Sequence, residues 1–159
     1  MIVIADTSPI SYLVMIGEVE LLPRLFNKIF IPEAVYNELS AKGAPSVVQS
    51  WINNSPDWLE VSSISPIDDP LLVHLHIGEK QAILLAEQFK ADLIIVDEKA
   101  GRKAAQQKGL NVTGLLGILD LAADQNLIDL PSTIIALQKT NFRVAPSLLK
   151  SLLNRHHQI

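Results

Sequence analysis

Asp6, Glu38, Glu79 and Asp97 are the residues of this chain whose types and positions are suited to chemistry. Asp6 closes the apolar run Met1–Ala5, and Asp97 closes Leu93-Ile94-Ile95-Val96, the most apolar of the strand-like segments. Continuous apolar runs of this length read as buried parallel strands. In an open parallel sheet, ligands bind beyond the carboxyl ends of the strands, near the point where strand order reverses. Glu38 follows Val35 by three residues, beside the apolar stripe of its helix rather than opposite it. Glu79 opens a helix whose Ala82, Ile83 and Ala86 share its face. Each acid also has a plainer reading: Asp before a helix is a common N-cap, and Glu in a first turn suits the helix dipole. For Asp6 the capping reading is weakened by Thr7 and Ser8, either of which can cap instead.

Gathered in one cleft, four carboxylates would repel by about 4 kcal/mol per pair at 4 Å with an effective dielectric near 20. A hard divalent cation, Mg²⁺ or Mn²⁺, relieves this, because it takes carboxylate and water oxygens and keeps positions open for phosphate. Such an ion lowers the pKa of a bound water and orients it toward phosphorus, which is the chemistry of phosphodiester hydrolysis. Ser8, Lys99 and Arg102 are the candidates for contact with a nucleic-acid backbone. Lys99 and Arg102 share a face at i and i+3 on the helix after Asp97, Ser8 sits at a helix start where capping competes, and Lys103 reads as solvated. His74 and His76 form an H-x-H without a third ligand nearby and read as structural or surface residues. His156 and His157 read as part of a mobile end. Aromatic residues, at 5%, are too sparse for base-stacking platforms, so sequence-specific base readout is not expected.

The elements that must position these groups alternate. Met1–Ala5 reads as a strand, with Ser8-Pro9 as N-cap and first residue of a helix reaching Gly17, then a short helix from Val19 to Phe26. Lys28–Ile31 is a strand closed by Pro32, which opens a helix ending near Gly43; Pro45–Asn54 is a helix and Trp58–Ser62 a strand. Residues 68–77 show no clear period. Glu79–Lys90 is a helix, Leu93–Val96 a strand, Glu98–Lys108 a helix ended by Gly109, and Leu110–Thr113 a strand. From Leu115 onward the pattern is helical, interrupted at Pro131 and Pro146. Strands alternating with helices over short connections predict an α/β fold with a mainly parallel sheet covered on both faces. At 159 residues, with no linker or repeat, the expectation is one domain over 1–159 with a helical C-terminal extension from about 131.

Composition removes other classes. With no cysteine there is no disulfide framework, thiolate zinc site or cysteine nucleophile. No apolar run approaches the ~20 residues of a membrane helix and no basic segment precedes an apolar one at the start, so no membrane partner and a cytoplasmic location are expected. The net charge of −4 hides an asymmetry: residues 1–98 hold 14 acids and 5 Lys or Arg, a balance of −9, and residues 99–159 hold 3 and 8, a balance of +5. Such a chain can meet a polyanion at one face, although an ordinary solvated surface explains the same numbers.

The chain resembles the PIN-domain family, and within it the VapC-type toxin-like, predicted nucleic-acid-binding subgroup. The matching stretches are Asp6-Thr7-Ser8-Pro9-Ile10, Ile31-Pro32-Glu33-Ala34-Val35-Tyr36-Asn37-Glu38, Gly78-Glu79-Lys80-Gln81-Ala82-Ile83, Leu93-Ile94-Ile95-Val96-Asp97-Glu98-Lys99-Ala100-Gly101-Arg102, Val112-Thr113-Gly114-Leu115-Leu116-Gly117 and Asn141-Phe142-Arg143-Val144. The resemblance implies a three-layer α/β/α sandwich and an acidic cluster of Asp6, Glu38, Glu79 and Asp97, with Asp6 and Asp97 as principal ligands of Mg²⁺ or Mn²⁺. It implies a toxin-like endoribonuclease acting on RNA, an antitoxin that blocks the cleft, and a homodimer. Where many PIN nucleases carry Asp at the third acidic position this chain has Glu79, a longer side chain that can still reach a metal. A second expectation is therefore a PIN-fold module that binds nucleic acid or protein without cleaving. A phosphatase or receiver-like protein fits less well, because Asp6 is not followed by the second acid such phosphatases use.

Overall fold

The apolar runs form a five-stranded, all-parallel sheet: β1 (Val3–Ala5), β2 (Ile29–Pro32), β3 (Leu59–Ser62), β4 (Leu93–Ile95) and β5 (Val112–Thr113). The computed structural model describes residues 1–156. Strand order is β3-β2-β1-β4-β5, so it reverses between β1 and β4. These two strands pair Val3 with Leu93, Ile4 with Ile94 and Ala5 with Ile95. The crossovers carry α1 (Thr7–Met15), α2 (Leu21–Phe26), α3 (Glu33–Ser40), α4 (Ser46–Asn53), α5 (Ile77–Phe89) and α6 (Lys99–Gln107); α7 (Leu115–Asp124), α8 (Leu130–Gln138) and α9 (Pro146–Arg155) follow β5.

Because strand side chains alternate between faces, each apolar run feeds two cores. Val3, Ala5, Ile29, Ile31 and Ile95 turn to one face and pack with buried residues of α1 to α4 and α7 to α9. Ile4, Ile94 and the half-buried Phe30 turn to the other, against Ala82–Ala86 of α5 and Ala104 and Ala105 of α6. Helix, sheet, helix is the three-layer α/β/α arrangement expected from the sequence. Alanines are prominent in this core, with Ala82 and Ala86 on α5 and Ala104 and Ala105 on α6.

Boundaries moved where local chemistry outweighed pattern. Asp6, not Ser8, occupies the N-cap position of α1: its φ of −86° and ψ of 174° are extended, and Thr7 is already helical. Ser8 and Pro9 thus lie inside the first turn, where proline's missing N–H breaks no helical bond. Pro32 ends β2 and precedes α3, which stops at Ser40 rather than near Gly43. The aperiodic stretch 68–77 holds one 3₁₀ turn, Pro70–Leu72, with Asp69 accepting from the Leu71 amide. Pro131 and Pro146 begin helices rather than break one, at the first turns of α8 and α9.

The end of the described chain is also held, contrary to the expectation of mobility for His156. Arg155 ion-pairs with Asp120 and Asp124 of α7 at 2.7 Å each, and His156 Nε2 lies 2.6 Å from Asp120 Oδ1. Leu149 of α9 is buried in the larger core, which brings these charges together. His157 lies outside the described residues. Among the described residues, no helix is long and apolar enough to cross a membrane.

Ile94 is fully buried in the smaller core, whereas Val73 is 76% exposed. Urea unfolding followed by circular dichroism should show a loss of about 2–5 kcal/mol for Ile94→Ala and less than about 0.5 kcal/mol for Val73→Ala.

Candidate active site

The topology sets Asp6 and Asp97 side by side. Asp6 follows β1 and continues its ladder, with its amide donating to the Ile95 carbonyl at 2.9 Å. Val96 extends β4 by donating to the Thr113 carbonyl at 2.9 Å, and Asp97 comes next. Both acids therefore stand at the carboxyl ends of the two strands that flank the reversal of strand order, the place where α/β sheets bind ligands. Glu38 arrives from the last turn of α3 and accepts a hydrogen bond from the Thr7 hydroxyl. Glu79 is the third residue of α5 and is only 5% exposed; Asp6 is 4% exposed.

Asp6, Glu38 and Glu79 line one recess of about 240 Å³, together with Thr7, Ser8, His76 and Glu98. Asp97 lines an adjoining cavity of about 680 Å³ with Lys99, Arg102, Tyr12, Asn141 and Arg143. Ser8 and Glu98 belong to both. The four expected acids thus meet at one place, three in the inner recess and Asp97 at its junction with the wider cavity. Lys99 and Arg102 do face one cavity, as their spacing predicts, and Lys103 is exposed.

Capping does not account for these carboxylates in the way their sequence positions suggest. Asp6 makes no side-chain capping bond to α1. Asp97 does not cap α6, whose N-cap is Glu98; its Oδ1 instead accepts from the Leu115 amide at 2.7 Å, at the start of α7. Each acid nevertheless abuts a helix N-terminus. A Cβ built on Gly78, in the first turn of α5, would lie 2.1 Å from Glu38 Oε1. One on Gly101, in the first turn of α6, would lie 2.5 Å from Glu79 Oε2, and one on Gly114, the N-cap of α7, 2.7 Å from Asp97 Oδ1. The missing side chains let carboxylates settle directly against the positive ends of three helices.

That help is incomplete. Burial raises the Asp6 pKa from 3.8 to about 7; the Thr7 amide lowers it, and the charges of Glu79, Glu38 and Asp97 raise it further. Burial likewise raises Glu79, with the His76 backbone opposing and Glu98 adding to the shift. It raises Asp97 against the opposing Leu115 amide and Arg102 charge. Two buried oxygens, Glu79 Oε2 and Asp97 Oδ2, have no hydrogen-bond partner.

Several lining residues escaped the sequence reading. Glu98 was visible as the neighbour of Asp97 but read only as helix. His76 borders the acidic recess from the N-cap position of α5, while His74 is exposed and lines neither cavity. Tyr12 comes from α1, and Asn141 and Arg143 from the α8–α9 connection, in a stretch that carries the family resemblance without a role assigned to it; only the tertiary structure brings the three together.

A family model described as DUF3368, PIN domain, matches residues 2–158. The chain belongs to the PIN-domain family. No curated protein and no solved structure matched it. The PIN fold is a nuclease-type fold, and the VapC-type subgroup within the family is a narrower assignment than this match makes.

The donor set of this PIN domain fits a divalent cation: hard carboxylate oxygens, two of them buried without partners, and no Lys or Arg lining the inner recess. A different trio, Asp120, Asp124 and His156, has donor atoms within 4.8 Å of one another. There the Arg155 guanidinium bridges both aspartates at 2.7 Å, and the cluster serves as an ion-pair clamp between α7 and α9.

Native Asp6 keeps its proton up to about pH 7, whereas the unfolded chain releases it near pH 4. The unfolded state therefore binds fewer protons across this window, and metal-free stability falls as pH rises through it, by at most about 4 kcal/mol. In EDTA, thermal melts of Asp6→Asn and wild type should coincide near pH 4, with the variant more stable at pH 8. Added Mn²⁺ should raise the wild-type Tm at pH 8 and leave the variant nearly unmoved. Gly101→Ala should weaken Mn²⁺ binding in calorimetry by about tenfold or more. Its Tm should change little, because alanine's helix preference of up to about 1 kcal/mol offsets displacement of Glu79.

Proposed function

We propose that this PIN domain is a Mg²⁺- or Mn²⁺-dependent ribonuclease that cuts RNA internally. The observation that carries the reading is the pair of buried, unpartnered oxygens, Glu79 Oε2 and Asp97 Oδ2, in the carboxylate group around Asp6. Carboxylates so placed are unfavourable without a counter-charge and suited to holding one. Asp6 and Asp97 are the principal ligands, and Glu38 and Glu79 complete the site directly or through water. When bound, the ion supplies an activated water and screens phosphate from the acids. Thr7 fixes Glu38 by its hydroxyl, while Ser8, Lys99 and Arg102 border the larger cavity, where they receive the phosphate backbone. RNA rather than DNA, a toxin role with an antitoxin that blocks the cleft, a homodimer and a cytoplasmic location are supported by the resemblance to VapC-type proteins.

Cleavage of a labelled single-stranded RNA in Mn²⁺, with calorimetry on the same preparations, tests this. Wild type should bind Mn²⁺ and cut; Asp6→Asn should lose more than about 10²-fold in rate, beyond the 10–100-fold typical of losing an outer-shell partner. Metal uptake by neither protein would sink the nuclease reading and favour the non-cleaving module.

A further inference from the structure

Away from the acids, the last helix carries more apolar surface than the core takes up. Leu148, Leu149, Leu152 and Leu153 recur along α9, yet only Leu149 is buried; Leu152 and Leu153 are half-buried and Leu148 is 56% exposed. Leu149 and Leu153, with Leu137 of α8 and with Phe142 and Val144 of the connection, line an open groove of about 550 Å³ between α8 and α9. Its ionic side chains are Arg143 and Lys150. Neither makes a salt bridge, and no Asp or Glu lines the groove, among the described residues. The imbalance is regional in the sequence, where residues 130–159 hold four Lys or Arg and no acid.

An apolar floor flanked by unpaired cations favours a ligand that is apolar and acidic at once. RNA answers only the charge, because it has no aliphatic side chains to lay on the leucines. A second copy docked face to face would set Arg143 and Lys150 against the same two cations, since an isologous contact repeats one patch on both sides. A protein segment with apolar residues on one face and Asp or Glu beside them meets both requirements.

We propose that the α8–α9 groove is the docking site for an acidic amphipathic segment of a partner protein, which lays its apolar residues on the leucines and pairs its carboxylates with Arg143 and Lys150. None of Asp6, Glu38, Glu79 and Asp97 lines the groove, so docking needs neither metal nor cleavage. Phe142, Arg143 and Val144 line both the groove and the cavity beside Asp97, and a docked segment therefore sits at the edge of that cavity.

Panning a display library of random dodecapeptides on the full chain, then titrating a fluorescein-labelled selected peptide by anisotropy in EDTA, tests it. The enriched peptides should combine apolar residues with Asp or Glu, and their Kd should rise with salt. Lys150→Glu should weaken binding about tenfold or more, because it turns attraction into repulsion at an exposed residue; Lys150→Ala should give a smaller loss in the same direction. Lys42→Glu, the same change at an exposed lysine between α3 and α4, should bind as wild type does. A peptide with its acids changed to lysine should lose wild type and prefer Lys150→Glu. No enriched peptide, enriched peptides without acids, or an unchanged Kd for both Lys150 variants would each overturn the docking site. A single-stranded RNA dodecamer that loses affinity for Lys150→Glu as strongly as the peptide does would overturn it in favour of nucleic acid. Sedimentation showing a wild-type dimer that Lys150→Glu dissolves would overturn it in favour of a second copy. Absence of Mn²⁺ uptake by wild type, which sinks the nuclease reading, leaves these outcomes unchanged.

Discussion

Asp6 sits almost wholly out of water with Glu38, Glu79 and Asp97 close enough to act on it, and no Lys or Arg lines the recess it occupies. Desolvation and like-charge repulsion act in the same direction there, which is why its proton is held to about pH 7. Helix N-termini offset part of this. The first turns of α5 and α6 and the N-cap of α7 each present a glycine against a carboxylate, and α1 starts at Asp6 itself. Partial charges of about half a unit cannot balance whole negative charges, and the proposed divalent ion would supply the missing positive charge.

The uneven charge along the chain is reflected at this site. The inner recess draws Asp6, Glu38, Glu79 and Glu98 from the acidic first 98 residues. The adjoining cavity draws Lys99, Arg102 and Arg143 from the basic remainder. Folding sets the two regions edge to edge, with Ser8 and Glu98 shared between them. A polyanion meeting this surface finds cations for its phosphates and, one step away, acids suited to a metal. The overall charge of −4 says nothing of this, because charges far apart on the surface are screened within about 8–10 Å and only local groupings act.

The rest of the molecule serves to hold the reversal point. Ala5 and Ile95, the last paired residues of β1 and β4, contribute to the larger core, as do α7 to α9. Ile4 and Ile94, one residue earlier, belong to the smaller core under α5 and α6. Packing on both faces fixes the strand ends from which Asp6 and Asp97 project, and α3 and α5 bring their glutamates to the same place. The Arg155 and His156 contacts to α7 close the last helix onto that layer.

Much of this was legible in the residues alone. Continuous apolar runs identified β1, β2 and β4, and the acids directly after two of them marked strand ends, because a parallel strand must be apolar on both faces and its end is where polarity returns. Their places beside the apolar stripes of two helices singled out Glu38 and Glu79, and the family resemblance put all four acids in one cluster. What the chain did not disclose in one dimension was depth and neighbourhood. Whether Asp97 caps the helix beside it or the start of α7, eighteen residues on, depends on how β4 and β5 lie together. Tyr12 shares no period or motif with Asn141 and Arg143, and the three line one cavity only because α1 and the α8–α9 connection pack against each other. Local pattern determines which way a side chain faces on its own element; long-range packing alone determines what it faces, and the pKa of a buried carboxylate follows from the second.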